Sequence, residues 1–290
     1  MDLMQSEPLV RLSVFFGVFA AVAIWEIITP FRDLSTRKPV RWGRNLGLLA
    51  LDTLLVRLVL PAGAVGAALL AVERGWGLFN VVEVAPIVAV IASVLILDFT
   101  IYLQHVTFHA LPALWRLHMV HHADLDFDVT TGTRFHPFEI LLSMLIKIAV
   151  VAFLGAPAVA VLIFELLLNA TAMFNHGNIR LPGWLDTPLR WLVVTPDMHR
   201  VHHSVKRVEC NSNFGFNLPW WDRLFGTYVP EPAAGRDDIV IGVSHIREQR
   251  QTLPWLVGLP FLRRTGVYPF GRARGDSEPS DGSEPRRPQS

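Results

Sequence analysis

The chain has 290 residues, of which 51% are hydrophobic and only 18% charged, with a formal net charge of +1. That balance gives no basic surface for a nucleic acid and fits a protein with several membrane spans better than a soluble one. With Cys210 as the single cysteine, an internal disulfide, a thiolate zinc site and an iron–sulfur cluster are excluded.

The first apolar run, about Leu9 to Ile28, predicts a span. Ala21-Val22-Ala23 resembles a signal-peptide cleavage site, but Asp2 and Glu7 make the preceding segment acidic where a signal peptide is basic. A second run covers about Leu46 to Leu70, and a third about Val82 to Leu103. The fourth, about Ile140 to Phe174, exceeds one span of ~20 residues. Gly155-Ala156-Pro157 at its middle predicts a hairpin that enters and leaves on one side.

Arg32, Arg37, Lys38, Arg41 and Arg44 lie between the first two runs, and only Arg74 between the second and third. The positive-inside rule puts the first of these segments in the cytoplasm. The third run then returns the chain to that side, and the hairpin keeps it there. Arg57, Asp98, Lys147 and Glu165 are charges inside apolar runs and therefore functional suspects. Lys147, near a helix end, reads as a snorkelling residue. After about Tyr228 the chain turns polar. A short apolar piece, Leu253 to Leu262 with Trp255, is expected at the membrane interface, and residues 271–290 are expected to be disordered.

Eight of the eleven histidines form three clusters: His105 and His109; His118, His121 and His122; His199, His202 and His203. Residues three and four apart share a helical face, so each cluster is expected to point its imidazoles one way. Packed imidazoles without a metal would repel on protonation, so the clusters predict a metal centre. Eight or nine imidazoles overfill a zinc site, whereas two ions with four or five each leave an open position for oxygen activation. No Glu-x-x-His occurs, which excludes the carboxylate-rich di-iron bundle. Asp98, two helical turns before His105, is expected either to orient a ligand imidazole or to make a structural hydrogen bond. His245 reads as an ordinary lone histidine. The competing reading is a histidine-rich membrane protein that binds or transports metal without redox chemistry. Transporters, however, usually place ligands near the midplane, and these clusters lie beyond the span ends.

Residues 105–139 read HVTFHALPALWRLHMVHHADLDFDVTTGTRFHPFE, and residues 197–228 read DMHRVHHSVKRVECNSNFGFNLPWWDRLFGTY. The cluster spacing, the Leu-Trp-Arg-x-His lead-in, the His-Pro-x-Glu and the closing Trp-Asp-Arg-Leu-Phe-Gly-Thr resemble the fatty acid hydroxylase/sterol desaturase superfamily of integral-membrane, non-haem di-iron enzymes. The resemblance covers roughly Asp98 to Pro230. It implies that the eight clustered histidines ligate two iron ions, that His176 is a further ligand, and that His136 is a ligand or lies just behind one. Val106 stands where many members have Arg.

The resemblance also implies an O2-dependent hydroxylase or desaturase of a sterol-like, acyl or carotenoid lipid. No His-Pro-Gly-Gly or Gly-x-Gly-x-x-Gly occurs, so electrons are expected from a separate ferredoxin- or cytochrome b5-type donor with its reductase. The fold expected is all-α: a multi-span membrane protein with a cytoplasmic, histidine-rich di-metal cap, in a bacterial inner membrane. Residues 1–97 would hold the N-terminal spans, 98–230 the catalytic region with its hairpin, 231–270 an interfacial segment and 271–290 the tail.

Overall fold

A computed structural model describes residues 6–247 and 251–262, and the tail expected at 271–290 lies outside them. The described residues are helical, with two isolated β-bridges, Ser204 to Ile241 and Val243 to Ile246. Five helical stretches are long and apolar enough to cross a membrane.

Helix α1 (Glu7–Ile28) packs along α8 (Ala158–Asn175). Its buried Glu26 accepts the backbone N–H groups of Val129 at 2.7 Å and Asn178 at 2.8 Å. The first apolar run is thus part of the folded body. The second run is not one helix. It divides into α2 (Lys38–Val59) and α3 (Gly63–Arg74), followed by the single turn α4 (Leu78–Val81). Pro61 has no N–H to continue the ladder, and Gly63 takes a left-handed φ of 57°. Beyond the break, Ala64, Ala68 and Ala71 form a stripe of small side chains, all buried, on the helix that packs against α7 and α8.

Helix α5 (Pro86–Ala110) is the third span, and α6 (Pro112–His122) follows after one residue. Proline at the first turn of each costs no hydrogen bond. The hairpin is α7 (Pro137–Leu154) and α8, turned at Gly155 with φ 63°. A Cβ there would lie 2.6 Å from Asn80 Nδ2 and 2.7 Å from the Trp76 carbonyl, so the turn also admits the corner between α3 and α4. Lys147 does not snorkel. It is buried and meets Glu165 across the hairpin at 2.7 Å, while Arg11 reaches the other Glu165 oxygen at 2.6 Å.

The remaining helices are short: α9 (Gly183–Leu189), α10 (Pro196–His202), α11 (Arg207–Cys210), α12 (Trp220–Phe225) and α13 (Leu253–Gly258). They form a cap over one end of the spans. The piece at Leu253 to Leu262, expected at the membrane interface, packs inward. Leu256 and Leu259 are buried with Leu48, Trp115 and Met119, and so back the histidine-bearing helix α6.

Arg41, at the start of α2, bonds Asp124 and Asp128 beside the second histidine cluster. The far end of α3 meets the Gly155 turn, ~27 Å away along the 18 residues of α7. Arg41 and the clusters therefore share one end of the molecule and Arg74 lies towards the other.

Candidate metal centre

Nine buried imidazoles converge in two adjoining sets. His105, His109, His118, His122 and His202 form one, and His121, His176, His199 and His203 the other. Within each set the candidate donor nitrogens all lie within 4.8 Å of one another. All eight clustered histidines and His176 are therefore brought together. His245 lies outside both sets.

The clusters do not each point one way, as their spacing had suggested. In both His-x2-His-His motifs the residues four apart go to one set: His118 and His122 to the first, His199 and His203 to the second. The middle residue crosses over, His121 to the second set and His202 to the first. At ~100° per residue, neighbours in sequence leave the helix in different directions, so one turn serves both sets.

Hydrogen bonds behind the rings settle which nitrogen faces inward. A backbone carbonyl oxygen only accepts, so each Nδ1 that meets one carries the proton. His105 donates to Phe214 O at 2.8 Å, His202 to Ser212 O at 2.7 Å, His176 to Ala172 O at 2.7 Å and His121 to Arg134 O at 3.2 Å. His118 Nδ1 pairs with the Glu139 carboxyl group at 2.6 Å, and its Nε2 lies 3.1 Å from that of His105. The Nε2 of each of the four carbonyl-held rings is then a lone pair. Yet His121 and His176 bring theirs to 3.2 Å. Two lone pairs at that separation repel and cannot hydrogen-bond.

A cation between them removes the conflict, because two nitrogens bound at about 2.1 Å and meeting near a right angle lie about 3 Å apart. His203, with both ring nitrogens buried and unpartnered among the described residues, and His202 Nε2 fit the same explanation. The residues present therefore fit two metal ions. Burial also keeps the rings neutral, as ligands must be: His118 and His176 are both pushed down to about 3.

Aromatic rings wall the centre. Phe135 stacks on His121 with centroids 4.5 Å apart, Phe127 lies 5.2 Å from His176, and Trp115 lies 4.8 Å from His109. The loop between α6 and α7 is pinned from outside. Asp124 and Asp128 hold Arg41, Asn45 donates to Thr130 at 2.9 Å, and Arg134 donates to Val120 O at 2.8 Å. A cavity of about 440 Å³ opens on the first set, where His105 and His118 join Phe108, Phe135 and Phe216 in its wall.

Two further residues lie outside both sets. Of the two readings open for Asp98, the structural hydrogen bond is the one present: Asp98 accepts the Trp221 indole N–H at 2.7 Å, and His105 is held by Phe214. His136 caps α7: its Nδ1 accepts the Phe138 N–H at 3.2 Å, and its Nε2 donates to Val257 O at 3.2 Å. With both nitrogens engaged, it belongs to neither set. The carboxylate that does orient an imidazole is Glu139, which sequence reasoning left without a role. Its signal was the third residue after His136, one helical turn on. Asp222 was also missed. It accepts the N–H groups of Phe214 at 2.7 Å and Gly215 at 2.8 Å, and so fixes the carbonyl that holds His105.

Residues 90–227 match the family described as fatty acid hydroxylase. An ornithine lipid hydroxylase, OlsE, of Rhizobium tropici is 32% identical over 152 residues, which are 52% of this chain and 45% of that protein. An alkylglycerol monooxygenase of Xenopus tropicalis is 30% identical over 155 residues, 51% of this chain and 31% of that protein. A very-long-chain aldehyde decarbonylase, GL1-5, of Oryza sativa subsp. indica is 29% identical over 139 residues, 45% of this chain and 22% of that protein. The matched stretch is less than half the length of each of these relatives. No solved structure matches.

Proposed function

We propose that the chain is a membrane-bound oxidoreductase that hydroxylates or desaturates a lipid with O2, since residues 90–227 match the family described as fatty acid hydroxylase. The observation that carries this reading is the opening of the His105–His118 side of a nine-imidazole centre onto a cavity among apolar helices. His105, His109, His118, His122 and His202 would hold one iron ion, and His121, His176, His199 and His203 the other. When bound, the ions supply the oxygen activation that an unactivated C–H bond requires.

The chain's own residues orient, exclude and admit. The carbonyls of Phe214, Ser212, Ala172 and Arg134, and the Glu139 carboxylate, fix the rings so that each lone pair faces inward. Phe127, Phe135 and Trp115 keep water from the centre, which protects a reactive oxidant from side reactions. The cavity brings the lipid to the first set. Hydroxylation puts one oxygen atom of O2 into a C–H bond and reduces the other to water with two protons and two electrons. Desaturation removes two hydrogens and, with the same two electrons, reduces both oxygen atoms to water. The electrons come from a separate ferredoxin- or cytochrome b5-type donor. The basic segment beside Arg41 supports a histidine cap, and hence a donor, on the cytoplasmic side of a bacterial inner membrane.

The test is elemental analysis of the purified chain together with lipid mass spectrometry of membranes that express it. Two iron ions per chain, and a lipid that gains one oxygen atom or loses two hydrogens, are expected. Iron-loaded protein that leaves every lipid unchanged when supplied with a reducing system would overturn the reading.

A further inference from the structure

The cavity beside the first imidazole set carries polar groups that nothing above uses. On α7, Glu139, Ser143 and Lys147 recur every four residues and line it along ~12 Å of one helical face. At the far end, Glu165 is already shared between Lys147 and Arg11. Nearer the imidazoles the balance is different. Asp52, on α2, is 2% exposed, and neither carboxylate oxygen has a hydrogen-bond partner among the described residues. Gln104 Oε1, one residue before His105, and Glu139 Oε2 are also buried without a partner. All three residues line the cavity, and all four of these atoms accept. Leaving such groups unpaired is costly, so the wall calls for a ligand that donates. A buried carboxyl group with neither oxygen partnered among the described residues pairs best with a donor that also carries positive charge.

We propose that Asp52, with Gln104, forms the subsite that receives the hydrogen-bond-donating polar group of the lipid, with an ammonium preferred to a hydroxyl. The assignment rests on the lipid-oxidising reading for its setting. Because Gln104 adjoins His105, it has a consequence for position: the carbon presented to the centre lies close to the polar group, and the far end of the chain lies away from it.

Three probes with one hydrocarbon chain test it: hexadecylamine, hexadecanol and hexadecyl methyl ether, which only accepts. The iron-loaded, full-length protein in phosphatidylcholine nanodiscs is equilibrated with each, and probe retained beyond that in empty discs is counted by mass spectrometry. Retention should fall in the order amine, alcohol, ether, with the amine at least about tenfold above the ether, the scale of one charge-assisted hydrogen bond. Asp52→Asn should lose about tenfold for the amine and much less for the alcohol. Its iron content, equal to that of the parent, reports that the chain is folded.

Equal retention of the three probes by the unaltered protein, or no retention at all, would overturn the subsite without recourse to any variant. Amine retention undiminished in Asp52→Asn would also overturn it, because the amine would then be held elsewhere, for instance on iron. If the ammonium-first order appears in a protein that oxidises no lipid, the subsite stands and the enzymatic reading falls. If oxidised lipid forms while the probes bind alike, the subsite alone falls.

Discussion

The two imidazole sets use the same chemistry in different surroundings. His105 and His118 of the first set form part of a cavity wall, and His118 is held by a carboxylate. No member of the second set lines that cavity. Its His121 and His176 are held by backbone carbonyls and covered by Phe135 and Phe127. The difference lies in access and in the charge behind one ring, and not in the ligand type. On the proposed reading, the first set meets the lipid and the second is a sealed support. Among the described residues, the carboxylate hydrogen-bonded to a ring of either set stands beside the set that faces the cavity.

The largest effect should come from removing one ring from either set. His118→Ala and His199→Ala should each lower iron content, and each should abolish lipid oxidation, because neither ion alone completes the centre. Retained turnover in His199→Ala would show that the second set is dispensable and would break the comparison.

A smaller and more selective effect is expected from Glu139→Gln. The amide keeps the volume but loses the charge that orients His118, a change that typically costs about 10–100-fold in metal affinity or activity. The loss should fall on the first set, leaving about one iron ion per chain under limiting metal. Equal loss from both sets would mean that the carboxylate acts on the centre as a whole.

Acid should treat the sets alike. Burial pushes His118 of one and His176 of the other down to about 3, against about 6.5 in an unfolded chain. A lowered folded value means that the unfolded chain takes up protons first as pH falls. The stability held by these neutral rings is complete above about 6.5 and is lost progressively towards about 3. The melting temperature of the metal-free chain should therefore be level from about pH 7 to 9 and fall steadily below about 6.5. Iron released in two steps at well-separated pH values would show that the sets differ in basicity as well as access.

The smallest effect is expected at Asp98. An asparagine oxygen can still accept the Trp221 N–H, so Asp98→Asn should keep full iron content, turn over within about twofold of the parent and lose about 1 kcal/mol at most. A tenfold loss of iron affinity would return Asp98 to the metal centre.

Much of this arrangement is legible from residue spacing. The apolar runs mark the spans, Gly155-Ala156-Pro157 marks the hairpin, and eight clustered histidines mark the centre. The division of each cluster is harder to read, because a helical period gives the direction of a side chain but not which neighbour waits there. Asp98 shows the same limit. It sits two turns from His105, yet Trp221 from a distant helix takes its carboxylate. The groups that hold His105, His202, His176 and His121 are backbone carbonyls, which every residue carries and no composition reveals. The break at Pro61 was hidden inside an apolar run, since Pro, Ala and Gly barely lower its hydropathy. Leu256 and Leu259 are buried by partners more than a hundred residues away, which a window of ten residues cannot report.

The crossing of His121 and His202 ties the two sets to one mechanical unit. Helix α6 gives two rings to the first set and one to the second, and α10 with its cap residue His203 gives one to the first and two to the second. A shift of either helix therefore moves rings of both sets together, and neither set is reshaped without the other.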